Sequence, residues 1–188
     1  MKKHLALGLL AATLSTGALA ETYKLDPDHT NARFAIGHFG TSTNHGGFYN
    51  IEGELQLDAA KGTGNIQIEI PVDSVQTGNA AFDGHLKSAD LFNVEQYPVM
   101  TFQSTAWTFV DGKPQTVTGD LTLLGQTHPV TLTADNFNCY ESPMFEGATA
   151  CGGDFSTTID RTLWGMDFFV GPVPAEVRLD IQVEGIRQ

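Results

Sequence analysis

Positive charge is scarce in this sequence. Ten Lys and Arg stand against 22 Asp and Glu, for a formal net charge of −12 at pH 7. A surface of that sign disfavours nucleic acid and anionic membrane faces as partners. Long apolar runs are missing beyond the N-terminus, so a protein integral to the membrane is not expected. Cysteine is limited to Cys139 and Cys151, without a C-x-x-C spacing. There is no G-x-S-x-G elbow, no H-E-x-x-H pair, no Rossmann glycine pattern and no P-loop lysine. His38 and His45 lie in a glycine-rich stretch without metal-site spacing, so no metal site is expected. Ser88 and Asp90 neighbour His85, but triad members rarely come from adjacent positions on one helix. No βαβ spacing, charge block, repeat or low-complexity linker occurs.

What is present begins with a leader pattern. Met1-Lys2-Lys3-His4 is basic, Leu5 to Leu14 is apolar, and Ala18-Leu19-Ala20 is a small-residue cleavage signal. The expectation is a signal peptide over 1–20, cleaved after Ala20, and one periplasmic domain over 21–188. In an oxidising compartment Cys139 and Cys151 most simply form one disulfide, the alternative being reactive or metal-binding thiols.

The dominant period is two. Ala32, Phe34 and Ile36 alternate with Asn31, Arg33 and Ala35; Ile66, Ile68 and Ile70 alternate with Gln67 and Glu69. Val117, Gly119, Leu121 and Leu123 alternate with threonines and Asp120, and Val177 to Val183 repeats the pattern. Pro71 marks an edge or strand end. The phase changes near Ser104, between Phe102 and Trp107. Eight or nine strands joined by tight turns predict an antiparallel sheet that must curl or split. An eight-stranded up-and-down barrel is the first solution and a two-sheet sandwich the second.

One stretch departs from this period. Asn79 to Leu91 reads as a single helix with Phe82, Leu86 and Ala89 on one face, and Tyr97-Pro98 stops it. It either plugs one end of the sheet or covers an apolar cavity. Many of the twelve phenylalanines cluster where turns meet strands: Phe34, Phe39, Phe48, Phe82, Phe92, Phe155, and Phe168-Phe169 at the end of the run from Leu163. They fit either a packed core or the lining of a cavity.

The blocks YKLDPDHTNARFAIGHFG, GGFYNIEGEL, HLKSADLFNVEQYPVMTFQST, VTGDLTLLGQTHPVTL and IDRTLWGM resemble the YceI-like family, in the family's order. The resemblance implies an all-β fold: an extended eight-stranded antiparallel, lipocalin-like barrel with a short helix capping one end. It implies a non-enzymatic role: binding or transport of a polyisoprenoid, an isoprenoid quinone or another long amphiphilic chain. No cofactor is required beyond such a bound isoprenoid or quinone-like lipid. It leaves room for a transient membrane redox partner and for a homodimer. The residues expected around the chain are Phe34, Ile36, His38, Phe48, Phe82, Leu86, Leu91, Phe92, Phe102, Trp164, Met166 and Phe168. The alternatives are an enzyme acting on an amphiphile, with His38, His45 or His85 as base, and a stress-response or adaptor protein docking on a membrane complex. The Cys139–Cys151 loop and the polar Thr41 to His45 depart from the family pattern.

Overall fold

The computed structural model describes residues 20–145 and 147–188; the expected leader lies outside the described residues, apart from Ala20. The strands in chain order are β1 (Glu21–Leu25), β2 (Asn31–His38), β3 (Ser42–Phe48), β4 (Glu52–Asp58), β5 (Thr63–Pro71) and β6 (Val75–Gln76). One helix, α1 (Ala80–Lys87), follows. Then come β7 (Val99–Val110), β8 (Lys113–Leu123), β9 (Gln126–Glu141), β10 (Thr149–Asp160) and β11 (Glu176–Arg187).

These eleven segments make eight staves. β1 pairs with β4 on one side and β11 on the other, which closes the ring β1-β4-β5-β7-β8-β9-β10-β11. β2, β3 and β6 are the upper continuations of β1, β4 and β5: β2 pairs with β11 above β1, β3 with β2, and β6 with β3. Every pairing in the barrel wall is antiparallel between neighbouring staves, so the architecture is the expected eight-stranded barrel with one short helix.

The first three staves are each broken once, and the first break has a local cause. Pro27 cannot donate to a ladder. Asp26 accepts from the Asp28 amide at 3.0 Å, and the His29 amide donates to the Asp26 carbonyl at 3.2 Å. Thr30 re-enters the sheet by bonding Glu184 twice, its hydroxyl donating to the carbonyl at 3.2 Å and accepting from the amide at 3.3 Å. Pro71 ends β5, as expected, and a single 3₁₀ turn, Val72–Ser74, leads into β6. The phase change near Ser104 is a β-bulge in the β7–β8 register between Ser104 and Ala106.

The helix is shorter than the Asn79 to Leu91 expected. Asn79 caps it, its side chain accepting from the amides of Ala81 and Phe82 at 3.0 and 3.2 Å. Ser88 ends it with extended backbone (ψ 169°), its hydroxyl donating to the His85 carbonyl at 2.7 Å. Leu91 and Phe92 therefore lie in turns that fold back on α1, the Phe92 amide donating to the Leu86 carbonyl at 2.9 Å.

The lower half of the barrel is solid. Tyr23, Leu25, Leu55, Leu57, Ile66 and Val117 are buried there, and Trp107 stacks on Phe109 with centroids 6.0 Å apart. Burial pushes the Tyr23 phenol up to about 12, and its hydroxyl donates to Glu21 at 2.6 Å. Cys139 and Cys151 face each other across β9 and β10 and form a disulfide. No helix among the described residues is long and apolar enough to cross a membrane.

Candidate functional site: an apolar cavity under the helix

The upper half of the barrel is hollow. A cavity of about 420 Å³ lies between the strands, α1 and the connector from β10 to β11. That is within the range of sites that take small organic ligands. Strand alternation builds its walls. Phe34, Ile36 and His38 face in from β2, Ile68 and Ile70 from β5, Met100 and Phe102 from β7, and Leu121 and Leu123 from β8. β11 supplies Val177, Leu179, Ile181 and Val183.

Two glycines make room for large rings. A β-carbon at Gly46 would lie 2.4 Å from Phe34 Cζ, and one at Gly119 would lie 2.4 Å from Phe102 Cζ. Both phenyl rings thus lean over strand backbone that carries no side chain.

The roof comes from two segments. Phe82, Leu86, Leu91 and Phe92 belong to α1 and its exit; Met166, Phe168, Phe169 and Val173 belong to the β10–β11 connector. Phe92 meets Phe48 edge-on at 5.4 Å. A run of ring contacts crosses the mouth: His38 to Phe39 at 4.7 Å, Phe39 to Phe169 at 6.2 Å, Phe169 to Phe168 at 4.9 Å and Phe168 to His85 at 5.4 Å. Phe39 and Phe169 are each about half exposed.

Eleven of the twelve expected site residues bound this cavity: Phe34, Ile36, His38, Phe48, Phe82, Leu86, Leu91, Phe92, Phe102, Met166 and Phe168. Trp164 does not. It is fully buried in the wall, its indole nitrogen donating to the Leu121 carbonyl at 3.1 Å and its ring edge-on to His128 at 5.2 Å. The indole needs a buried acceptor and finds it in strand backbone, away from the lumen. His45 alternates with the inward Asn44 and Gly46, so it faces the outer wall, in an open cleft with Arg33 and Asp180. There the guanidinium of Arg178 holds the Asp180 carboxyl below its usual range.

The expected set left out Phe39 and Phe169, although both stand among the aromatics that gather where turns meet strands, and it missed Arg161. Phe39 and Phe169 are turn residues with no periodic signal. Arg161 is a single cation between a strand and Leu163-Trp164, which a hydrophobic pattern passes over.

The residues bounding the cavity include no carboxylate, thiol, serine, tyrosine or lysine. Their polar members are Thr30, Arg33, His38, Asn44, His85 and Arg161. What such a lining offers is removal of a hydrocarbon chain from water, at about 0.8 kcal/mol per methylene. Elsewhere, Asp26, His29 and Glu184 bring ligand-capable atoms within 4.8 Å of one another on the outer wall. These groups are engaged in bonds of their own. His29 Nδ1 pairs with Asp26 at 2.8 Å, and the Tyr140 hydroxyl donates to Glu184 at 2.6 Å.

Residues 23–185 match the YceI-like domain. The chain is 35% identical over 193 residues to the UPF0312 protein of Shewanella denitrificans, covering 100% of both chains. It is 38% identical over 194 residues to the protein YceI of Escherichia coli O157:H7, again covering 100% of both. The same fold occurs in a polyisoprenoid binding domain from Saccharophagus degradans implicated in plant cell wall breakdown. Its TM-score is 0.62 at 16% identity, covering 91% of this chain and 100% of that one. The period-two strands, the half-hollow eight-stranded barrel and these matches together make the chain a member of the YceI-like domain family.

Proposed function

We propose that this protein is a periplasmic carrier that holds a polyisoprenoid, an isoprenoid quinone or another long amphiphilic chain in the barrel. The observation that carries this reading is the cavity of about 420 Å³, walled by strand side chains and roofed by phenylalanines. Ten carbons of a prenyl chain buried there contribute about 8 kcal/mol at roughly 0.8 kcal/mol each. That is enough to offset a large part of the ordering and association cost. The residues that contact the chain are the eleven named above, together with Phe39 and Phe169 at the mouth. The description of the Saccharophagus degradans domain as polyisoprenoid binding supports the ligand class. The leader pattern and the disulfide support the compartment. No reacting group is needed for this role, and no cofactor beyond the carried lipid.

The test is extraction of the purified protein with organic solvent, followed by mass spectrometry. A stoichiometric prenyl or other long-chain lipid is expected. An empty protein that also fails to take up an added prenyl alcohol would defeat the carrier reading, and conversion of the added chain to a new product would replace it with an enzyme.

A further inference from the structure

The last strand residue before the roof connector is followed by a buried cation. Arg161 is 3% exposed and bounds the apolar cavity. A guanidinium carries five N–H donors. Three are used: Nε donates to the Pro174 carbonyl at 3.0 Å, Nη1 to the Met166 carbonyl at 2.7 Å and Nη2 to the Val173 carbonyl at 3.3 Å. Among the described residues, one N–H on each terminal nitrogen is left without a protein partner.

The charge also lacks a direct ion pair, and the carboxylates of Asp167 and Asp160 act on it only at longer range. Among the described residues no carboxylate lies within 4.0 Å of it. Asp160, its chain neighbour, is turned away to the Thr162 amide and hydroxyl at 2.9 and 2.6 Å. Asp167 is exposed. A buried cation that meets only carbonyl dipoles is costly unless a counter-charge arrives. Three carbonyl bonds already suffice to hold the connector, yet the residue is the one side chain type that cannot shed its charge there.

We propose that Arg161 is the head-group site of the cavity: its two spare N–H groups bind an oxyanion, a carboxylate or phosphate, at the end of the carried chain. This rests on the reading of the cavity as a chain-binding site and narrows the ligand to an anionic amphiphile. The N–H groups of a guanidinium suit the oxygens of a carboxylate or phosphate, and bonds of this charge-assisted kind are about twice as strong as neutral ones. The other titratable or cationic groups at the cavity are His38 and His85 at the mouth and Arg33, whose side chain is exposed on β2.

The test compares geranylgeranoic acid, geranylgeranyl phosphate, geranylgeraniol and the methyl ester of the acid. Each displaces a fluorescent fatty probe from the delipidated full chain at about pH 9, where histidine is neutral. The acid or the phosphate is expected to bind roughly ten- to a hundredfold tighter than the ester, and whichever leads identifies the source of the oxyanion. That preference is expected to vanish in Arg161→Met while ester binding persists. As a check that needs no variant, the ¹³C-carboxyl of the bound acid should titrate below its value in water. Equal affinities for acid, phosphate and ester, a bound carboxyl that titrates at or above its value in water, or a preference lost in Arg33→Gln but kept in Arg161→Met, would overturn the head-group site and leave the chain-binding reading standing. Failure of all four compounds to bind would defeat the chain-binding reading itself.

Discussion

The rings of Phe39 and Phe169 lie 6.2 Å apart over the cavity mouth, and both residues hold left-handed backbone, with φ of 50° and 56°. For Phe39 the cause is the turn. Asp111-Gly112 and Leu124-Gly125 pair two positive φ values, as the two-residue hairpins between Val110 and Lys113 and between Leu123 and Gln126 require, and Phe39-Gly40 pairs two more in the three-residue loop between His38 and Ser42, where the Thr41 amide donates to the His38 carbonyl at 3.0 Å. At the closed end of the barrel the first position holds Asp111, which suits it. At the mouth it holds a phenylalanine, which does not.

That contrast separates fold from function. Phe39→Asn gives the turn a residue it prefers and removes a half-exposed ring. Thermal unfolding of the variant should be unchanged or slightly higher, within about 1 kcal/mol. Release of a bound fluorescent chain in stopped flow should become several-fold faster if the ring gates the mouth. An unchanged release rate would reduce Phe39 to a tolerated oddity of the turn.

Glycine substitutions should distinguish wall from lumen. Gly119→Ala puts a β-carbon 2.6 Å from the Gln103 carbonyl as well as against the Phe102 ring, so backbone must move. It should cost about 1–3 kcal/mol in urea unfolding. Gly46→Ala meets the tip of the Phe34 ring at 2.4 Å, and that ring can swing into the hollow. Its stability cost should be the smaller of the two, with a clear loss of chain uptake.

Truncations extend the comparison. Leu55→Ala lies in the solid lower half and should cost about 2–5 kcal/mol, whether or not the protein is loaded. Phe102→Ala enlarges a space that already exists. Its cost in the empty protein should fall below the roughly 3–5 kcal/mol of a packed phenylalanine, while retained lipid, read by mass spectrometry, drops. Equal losses at both sites with unchanged lipid would make Phe102 ordinary core.

Much of this was readable in the chain. Ile66, Ile68 and Ile70 announce their face by strict alternation, and the bulge at Ser104 is visible as a slip of phase between Phe102 and Trp107. The helix was legible by its break in period, but its end was not. Ser88 stops it through a hydroxyl bond to the His85 carbonyl, and side-chain capping leaves no periodic trace. The breaks at Asp26–Thr30 and Pro71 show as prolines, yet nothing local says that a broken strand continues as the same stave. That is settled by partners over 150 positions away, such as Glu184 for Thr30. Hydrophobic patterning found Phe34 and Leu86 because lumen and core draw on the same residues. It misplaced Trp164 for the same reason, since a periodic pattern cannot tell which buried ring needs an acceptor.

The disulfide sits at the end of the barrel away from the cavity, and neither cysteine bounds it. Closing a loop of 12 residues is worth on the order of 3 kcal/mol in the chain-entropy model. Cys139→Ser with Cys151→Ser should lower the unfolding midpoint by a corresponding amount. Lipid content at temperatures where the protein stays folded should not change. A loss of bound chain without unfolding would show that the two ends of the barrel are coupled.

The break between β1 and β2 carries a titration. The hydrogen bond that the His29 imidazole donates to the Asp26 carboxylate raises its pKa above 6.5. A group raised on folding favours the folded state when protonated. Its contribution is therefore complete below about pH 6.5 and is lost as pH rises through the folded value. His29 is more than half exposed, so the effect is small and screened by salt. The difference in melting temperature between the parent and His29→Gln should be largest at acid pH and shrink towards pH 8. A difference that grows with pH would contradict the pairing.

The barrel is hydrogen-bonded all the way round only in its lower half, where β1 meets both β4 and β11. Above, β6 pairs with β3 alone, and β7 begins beside Pro71, so no ladder joins β6 to β7. α1 and its exit, residues 79–98, run between those two strands in the chain. The hollow half is thus a sheet with a seam, and the seam is covered by side chains instead of a ladder. A container of this kind has no fixed length. Its base limits how deep a chain can sit, while the seam is closed only by side chains, which can part where a ladder cannot. On the carrier reading, prenyl chains of very different lengths would then share one protein, graded by the part that is held.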